Sequence, residues 1–271
     1  MTLPQPSRSS NTTRLAQLPQ SQPVRAMGIA ALDNLLDGGL EPGVTWMVSG
    51  RPGSGKSLLA AHFIAEGIMR EEPGIYITAA ESPATLLRYF ARYWPMLESA
   101  VSHQQLSVLD PAPFFTELRL TAQQYKSKHS AWDDLWRFVQ DVITQSRNQN
   151  AKRIIIDPVT PLLFAHDGAI ELWDITQTLI NTLNQNLGAT TLLTHIAGPD
   201  PRSQEMTNIL ESLCAGVLHV ERGNDQLGRP SLSIEIFKHR YHAQSRCTLS
   251  CPLGPGGHLE STQPQEERRI A

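Results

Sequence analysis

Apolar residues recur along this chain with two alternating periods. Thr45 to Ser49 is a short apolar run, and a Gly-rich loop follows it. From Lys56 to Met69 the apolar positions Leu58, Leu59, Ala61, Phe63, Ile64 and Ile68 fit one broad face of a helix packed on a sheet. Gly74 to Ala80 reads as a second strand. Pro83 suits the first turn of a helix carrying Leu86, Leu87, Phe90 and Trp94. Leu106 to Leu109 is a third short run.

Ser130 to Asn148 sets Trp132, Leu135, Trp136, Val139, Val142 and Ile143 on one face, the mark of an amphipathic helix. Arg153 to Asp157 reads as a buried strand ending in a carboxylate. Leu172, Ile175, Leu179, Leu183 and Leu187 mark another helix, which Gly188 stops. Ala189 to His195 is the next strand. Val217 to Glu221 and Ser231 to Lys238 read as an antiparallel pair joined through Gly223-Asn224-Asp225. Strands alternating with helices predict an α/β fold: a mainly parallel central sheet, helices on both faces, and a C-terminal antiparallel extension.

Residues 1–25 are rich in Pro, Gln, Ser, Thr and Asn, and 261–271 are similar. Such segments bury too little apolar surface to offset ordering entropy, so both are expected to be disordered tails around one domain at 26–260. With 40% hydrophobic and 18% charged residues, the middle has the material for a core. A formal net charge of −3 lacks the footprint of a dedicated nucleic-acid binder. The start of the chain has no apolar signal region, and no apolar run is long enough to span a membrane, so a cytoplasmic protein is expected. Three cysteines, Cys214, Cys247 and Cys251, make no disulfide framework. Cys247-x-x-x-Cys251 finds no second pair to complete a metal site, which leaves reduced cysteines on a strand.

The chemistry concentrates at Gly50-Arg51-Pro52-Gly53-Ser54-Gly55-Lys56-Ser57, which satisfies G-x-x-x-x-G-K-[ST]. Glycines let the backbone wrap a phosphate with its N–H groups inward, and the following helix offers its positive end to the same anion. Lys56 would reach the β/γ-phosphates, the Ser57 hydroxyl would ligate Mg²⁺, and Leu58 continues the nucleotide-contacting turn. The ligand expected is ATP with Mg²⁺. Asp157, at a strand end about a hundred residues on, is the candidate second metal ligand. A turn or helix-capping Asp before Pro158 is the other reading.

Several separated segments resemble the KaiC-like branch of the RecA superfamily. Met27 to Gly43 (MGIAALDNLLDGGLEPG) is similar to that family's lead-in to the loop. Ile77 to Pro83 (ITAAESP) resembles its V-T-x-E-E-S-P, and Leu210 to Val220 its I-S-S-L-A-D-G-V-I-L-L. Phe237-Lys238-His239-Arg240 stands where the family carries K-M-R. The resemblance implies a RecA-like P-loop NTPase that assembles with itself into a ring, often a hexamer, with ATP between subunits and a regulatory or signalling role. An unidentified regulatory protein is a further partner it allows. In such rings Lys238 and Arg240 would reach a neighbour's phosphates; without the resemblance both read as solvated strand-end cations.

This chain departs from the pattern in three places. The family's paired glutamates are Ala80-Glu81 here, so Glu81 either activates the attacking water, as a single Glu after Ala would in RecA, or caps the helix at Pro83. Without the water-activating role, the chain is a non-hydrolysing switch. After Arg240 come Tyr241-His242 in place of Gly-Ser. His195 stands where the superfamily places a γ-phosphate sensor, and an ordinary strand-end histidine is the alternative. Where the family's clock proteins carry phosphorylated hydroxyls, this chain has Glu211-Ser212, and phosphorylation of Ser212 is not expected. A recombinase-like reading is disfavoured. The candidate DNA loops, Pro158 to Ala169 and Ile196 to Met206, hold no cation but Arg202, balanced by Asp200 and Glu205.

Overall fold

The computed structural model describes residues 23–112, 128–163, 169–240, 247–254 and 259. In chain order the strands are β1 (Thr45–Gly50), β2 (Gly74–Thr78), β3 (Leu106–Leu109), β4 (Arg153–Asp157), β5 (Thr190–Ile196), β6 (Gly216–Asn224), β7 (Pro230–His239) and β8 (Cys247–Pro252). The helices are α1 (Ala30–Leu35), α2 (Lys56–Met69), α3 (Pro83–Phe90), α4 (Met96–Ser102), α5 (Lys128–Gln149), α6 (Thr160–Leu163), α7 (Ala169–Leu187) and α8 (Pro201–Leu213). The strands form one sheet in the order β3-β2-β4-β5-β1-β6-β7-β8. The first six are parallel, and β7 and β8 add antiparallel strands at one edge.

Helices cover both faces, and the strand alternation sorts the core accordingly. Val48, Tyr76, Ile155 and Leu192 pack on one face with Leu59 and Phe63 of α2. Their neighbours Met47, Ile75, Ile77, Ile154, Ile156 and Leu193 pack on the other with residues of α5, α7 and α8. Asp157 follows Ile155 by two residues, and Thr194 follows Leu192 by two. Both therefore share the α2 face with Tyr76, the face on which the Gly-rich loop opens.

Local chemistry corrects several expected boundaries. Strand β2 stops at Thr78, not Ala80, because the Thr78 hydroxyl bonds the Glu81 carbonyl at 2.9 Å and turns the chain. Ser82, not Glu81, caps α3 by accepting from the Thr85 N–H at 3.3 Å. Trp94 lies beyond α3, just before the break at Pro95. The β6–β7 turn falls later than Gly223-Asn224-Asp225, since Gly223 and Asn224 still pair with Ser231 and Pro230. Asp225 makes the turn by accepting from Leu227 N and Arg229 N at 2.9 and 2.8 Å. The segment 196–206 is loop only to Asp200. Asp200 caps α8 through Ser203 N at 2.9 Å, with Pro201 in the first turn. Strand β8, which the periodicity did not announce, carries Cys247 and Cys251, and all three cysteines are free thiols.

The lead-in is tied to the sheet by polar contacts. Asp33 accepts from Met27 N and Gly28 N at 2.6 and 3.1 Å. Arg153, fully buried on β4, donates to the Ala26 and Phe63 carbonyls at 2.5 and 2.7 Å. It also pairs with Glu72 at 2.6 Å and lies 4.5 Å over the Phe63 ring. One side chain thus joins the lead-in, α2 and β4.

Candidate functional site

The Gly50–Ser57 loop leaves the end of β1 and enters α2 at Lys56. Its glycines are required for different reasons. A Cβ on Gly50 would lie 2.3 Å from the Val220 carbonyl oxygen. Gly55 has φ +101°, and its Cβ would meet both Leu232 methyl carbons at 2.7 Å. Gly53 has φ +77° in open space. Arg51, Pro52, Gly53 and Ser57 are exposed, Ser54 is buried, and Gly55 and Leu58 are half-buried. The first-turn N–H groups of α2 lack intrahelical acceptors, which makes the loop an anion seat.

Lys56 is buried and folded back on the loop, donating to the Gly50 and Arg51 carbonyls at 2.8 Å each. Burial lowers its pKa, and the nearby Asp157 carboxylate opposes that without cancelling it. A cavity of about 550 Å³ opens against the loop. Beyond Ser49–Ser54 its wall is made by Ala197, Thr207, Glu211, His219 and the strand end Val220–Arg222.

Asp157 is 6% exposed. Its Oδ2 accepts from the Tyr76 hydroxyl at 2.5 Å, and its Oδ1 accepts from the Thr194 hydroxyl. The Asp157–Pro158 peptide is cis. Burial first, then the Asp157 charge, raises the Tyr76 pKa well above that of a free phenol, so Tyr76 stays a donor. Hydroxyl and carboxylate oxygens are the donors Mg²⁺ prefers, and it takes one or two carboxylates together with phosphate. Ser57 and Asp157 fit that requirement.

His195 is fully buried at the end of β5, paired in register with Ser49 of β1. Its Nδ1 lies 3.1 Å from the Thr160 hydroxyl and its Nε2 2.9 Å from that of Thr207. Thr207 donates to the Ser203 carbonyl at 2.8 Å, so it accepts from Nε2–H. Nε2 therefore carries a proton, and in the neutral ring Nδ1 accepts from the Thr160 hydroxyl, which itself accepts from Ile196 N at 3.0 Å. Burial, with the Lys56 charge second, pushes the ring's pKa down to about 4.

Glu81 is exposed at the same sheet edge, just past β2. It borders a second cavity of about 320 Å³ with Ala79, Ala80, Asp110, Pro161 and Leu162. The structure therefore brings the loop, Asp157 and His195 together around β1, β5 and β4, with Glu81 one strand further out, past the end of β2.

Lys238 and Arg240 lie elsewhere. Lys238 donates to the Glu211, Ser212 and Cys214 carbonyls at 2.6, 3.0 and 2.9 Å. Arg240 donates to Ser212 and Leu213 at 3.1 and 3.3 Å. The two cations cap the C-terminal end of α8. Arg240 N bonds the Ala215 carbonyl, and Ala215 N bonds that of Thr45. Arg240 therefore stands level with the start of β1, five residues before Gly50, and Lys238, opposite Val217, stands level with Met47, three residues before it. Tyr241-His242 lie outside the described residues.

Sequence reasoning passed over Tyr76, Thr194, Thr160, Thr207 and His219. A tyrosine inside the aliphatic strand GIYIT was a usable signal, because a buried phenol needs a hydrogen-bond partner. His219, bonded to Glu211 at 2.9 Å and stacked on Phe237, gave none, since α8 was not anticipated.

Comparison with known proteins agrees with this architecture. The family model for the KaiC ATPase matches residues 26–255. A circadian clock oscillator protein KaiC from Parathermosynechococcus lividus is 30% identical over 166 residues, 61% of this chain and 29% of that protein. A UPF0273 protein from Sulfurisphaera tokodaii is 30% identical over 135 residues, 49% of this chain and 47% of its own. The matches thus span about a third to a half of these relatives. The crystal structure of a KaiC-like protein from Pyrococcus horikoshii OT3 superposes with a TM-score of 0.66 at 23% identity, covering 88% of this chain and all of that one. Among the described residues no helix is long and apolar enough to cross a membrane.

Proposed function

This chain belongs to the KaiC ATPase family of the RecA superfamily, and we propose that it binds ATP with Mg²⁺ on the Gly50–Ser57 loop and hydrolyses it in a homo-oligomer. The observation that carries the reading is a buried Lys56, held on the Gly50 and Arg51 carbonyls of the loop, at the same end of the sheet as a buried Asp157. An ammonium held on two neutral carbonyls exchanges them for a phosphate oxygen at a gain, since charge-assisted hydrogen bonds are stronger. When bound, Mg²⁺ neutralises charge on the phosphoryl oxygens, and Ser57 and Asp157 would hold it. We assign Glu81 the task of taking the proton of the attacking water, and Lys56 that of stabilising charge on the transferred group. His195 sits buried behind Thr207 of the pocket wall, a neutral group whose bonds to Thr160 and Thr207 can register the γ-phosphate.

The proposal of an oligomer rests on where Lys238 and Arg240 lie. Five residues of strand separate Arg240 from its own loop, roughly 17 Å at about 3.3 Å per residue, and three separate Lys238, roughly 10 Å, with its ammonium tied to the last α8 carbonyls. Acting on phosphate, they act on a neighbour's. A ring with sites between subunits, hexameric by family analogy, meets that requirement and suits a cytoplasmic regulatory assembly that docks a further protein.

A second reading has its own observation. Ala80 replaces one glutamate, and Glu81 opens on a cavity apart from the one at the loop. A switch that binds ATP and assembles without hydrolysis is the result. Phosphate release from Mg·ATP, run on wild type, Lys56→Ala and Glu81→Gln with oligomer mass from the same samples, separates the two. Turnover lost in both variants with assembly intact supports the ATPase. Binding and assembly without release in wild type supports the switch.

A further inference from the structure

We infer that Tyr76 and Thr194 are positioning residues that clamp Asp157 in the orientation its metal needs. The inference rests on the reading of Asp157 as a Mg²⁺ ligand.

The two hydroxyls come from the strands on either side of β4. Tyr76 of β2 donates to Oδ2 at 2.5 Å, and Thr194 of β5 donates to Oδ1. A carboxylate rotates readily about its last torsion. A donor on each oxygen, one from either side, fixes its plane. Both donors are themselves held. Tyr76 is 1% exposed, with its ring edge-on to Phe90 at 5.6 Å between centroids, and Thr194 is 0% exposed. Thr194 is also β-branched, which limits its χ1. Each carboxylate oxygen keeps acceptor capacity after one hydrogen bond.

This trio interrupts an aliphatic layer containing Val48, Ile155 and Leu192. Three polar groups in such a layer add nothing to packing that leucine or valine would not supply, and a buried carboxylate is costly. Their arrangement fits a task at the strand end, where Lys56 already feels the Asp157 charge. Groups that bond a metal's ligands commonly set its affinity through the ligand's orientation.

The test uses Mn²⁺ as a spin probe. Its binding is measured by electron paramagnetic resonance with ADP saturating, and ADP binding is measured by calorimetry in EDTA. Tyr76→Phe keeps the ring against Phe90, and Thr194→Val keeps the branched shape. Each should weaken Mn²⁺ about 10- to 100-fold with metal-free ADP affinity unchanged, and Thr194→Ser should restore it. Mn²⁺ affinity within about twofold of wild type in Tyr76→Phe and Thr194→Val, while Asp157→Asn loses it, overturns the clamp. An equal fall in metal-free ADP binding also overturns it, because that is a structural effect. If Asp157→Asn itself leaves Mn²⁺ binding intact, the metal-ligand reading fails first and the inference falls with it.

Discussion

Acid should destabilise this protein through His195, and one substitution isolates the effect. In the folded chain the ring is neutral, with Nε2–H given to Thr207 and Nδ1 receiving the Thr160 hydroxyl hydrogen. A second ring proton would face a donor, in a fully buried site near Lys56. Burial first and the Lys56 charge second lower the pKa from 6.5 to about 4. Between those two values the unfolded chain holds a proton that the folded chain refuses, so stability falls as pH falls. The contribution is fully present above about pH 6.5 and lost on the way down to about 4. At ~1.4 kcal/mol per pH unit, it amounts to about 3 kcal/mol. His195→Gln fills similar space without titrating. It should be less stable than wild type near neutrality, having weaker bonds to the two threonines. Denaturant unfolding of both proteins from about pH 7.5 to about pH 4.5 should show that gap narrowing by about 2–3 kcal/mol, since other titrations cancel in the difference. A gap that stays constant refutes the buried, neutral assignment.

Other consequences follow from the same contacts. Gly55→Ala forces a side chain to φ +101° against Leu232 and should cost about 1–3 kcal/mol, read as a lower denaturation midpoint together with weaker ATP binding. Gly53→Ala, in open space, should carry the smaller backbone cost alone. Arg153→Ala strips Glu72 of a buried partner and the Ala26 and Phe63 carbonyls of their donor, so unfolding should become easier by about 3–5 kcal/mol. If Lys238 and Arg240 serve a neighbour, mixing Lys56→Ala protomers with Lys238→Ala/Arg240→Ala protomers should restore phosphate release that neither variant shows alone. Absence of recovery in mixed assemblies of verified mass would place the two cations back in a purely α8-capping role.

The fold was legible wherever one apolar period ran unbroken. Lys56–Met69 coincides with α2, and Arg153–Asp157 with β4, because burial on a sheet leaves little choice of residue. Legibility failed where side chains bond backbone locally. Thr78 ends β2 early, Asp225 moves a turn, and Asp200 starts a helix where low apolar content read as loop. Such choices rest on single hydrogen bonds worth about 1 kcal/mol, which periodicity does not register. At the site, the loop was readable because its chemistry is contiguous. The hydroxyls on Asp157 and the threonines on His195 are brought in by strand register and by α8, so no local pattern announced them. Lys238 and Arg240 were located by resemblance, and their capping of α8 came from the geometry alone.

Calorimetric titration of ATP with Mg²⁺ into wild type and Lys56→Ala, with folding of both checked by circular dichroism, tests the assignment of the Gly50–Ser57 loop most directly. Wild type should bind one nucleotide per chain, and the variant at least ~100-fold more weakly, the loss of a charged hydrogen-bond donor to phosphate. Equal binding by a folded Lys56→Ala, or none by wild type, would contradict that assignment.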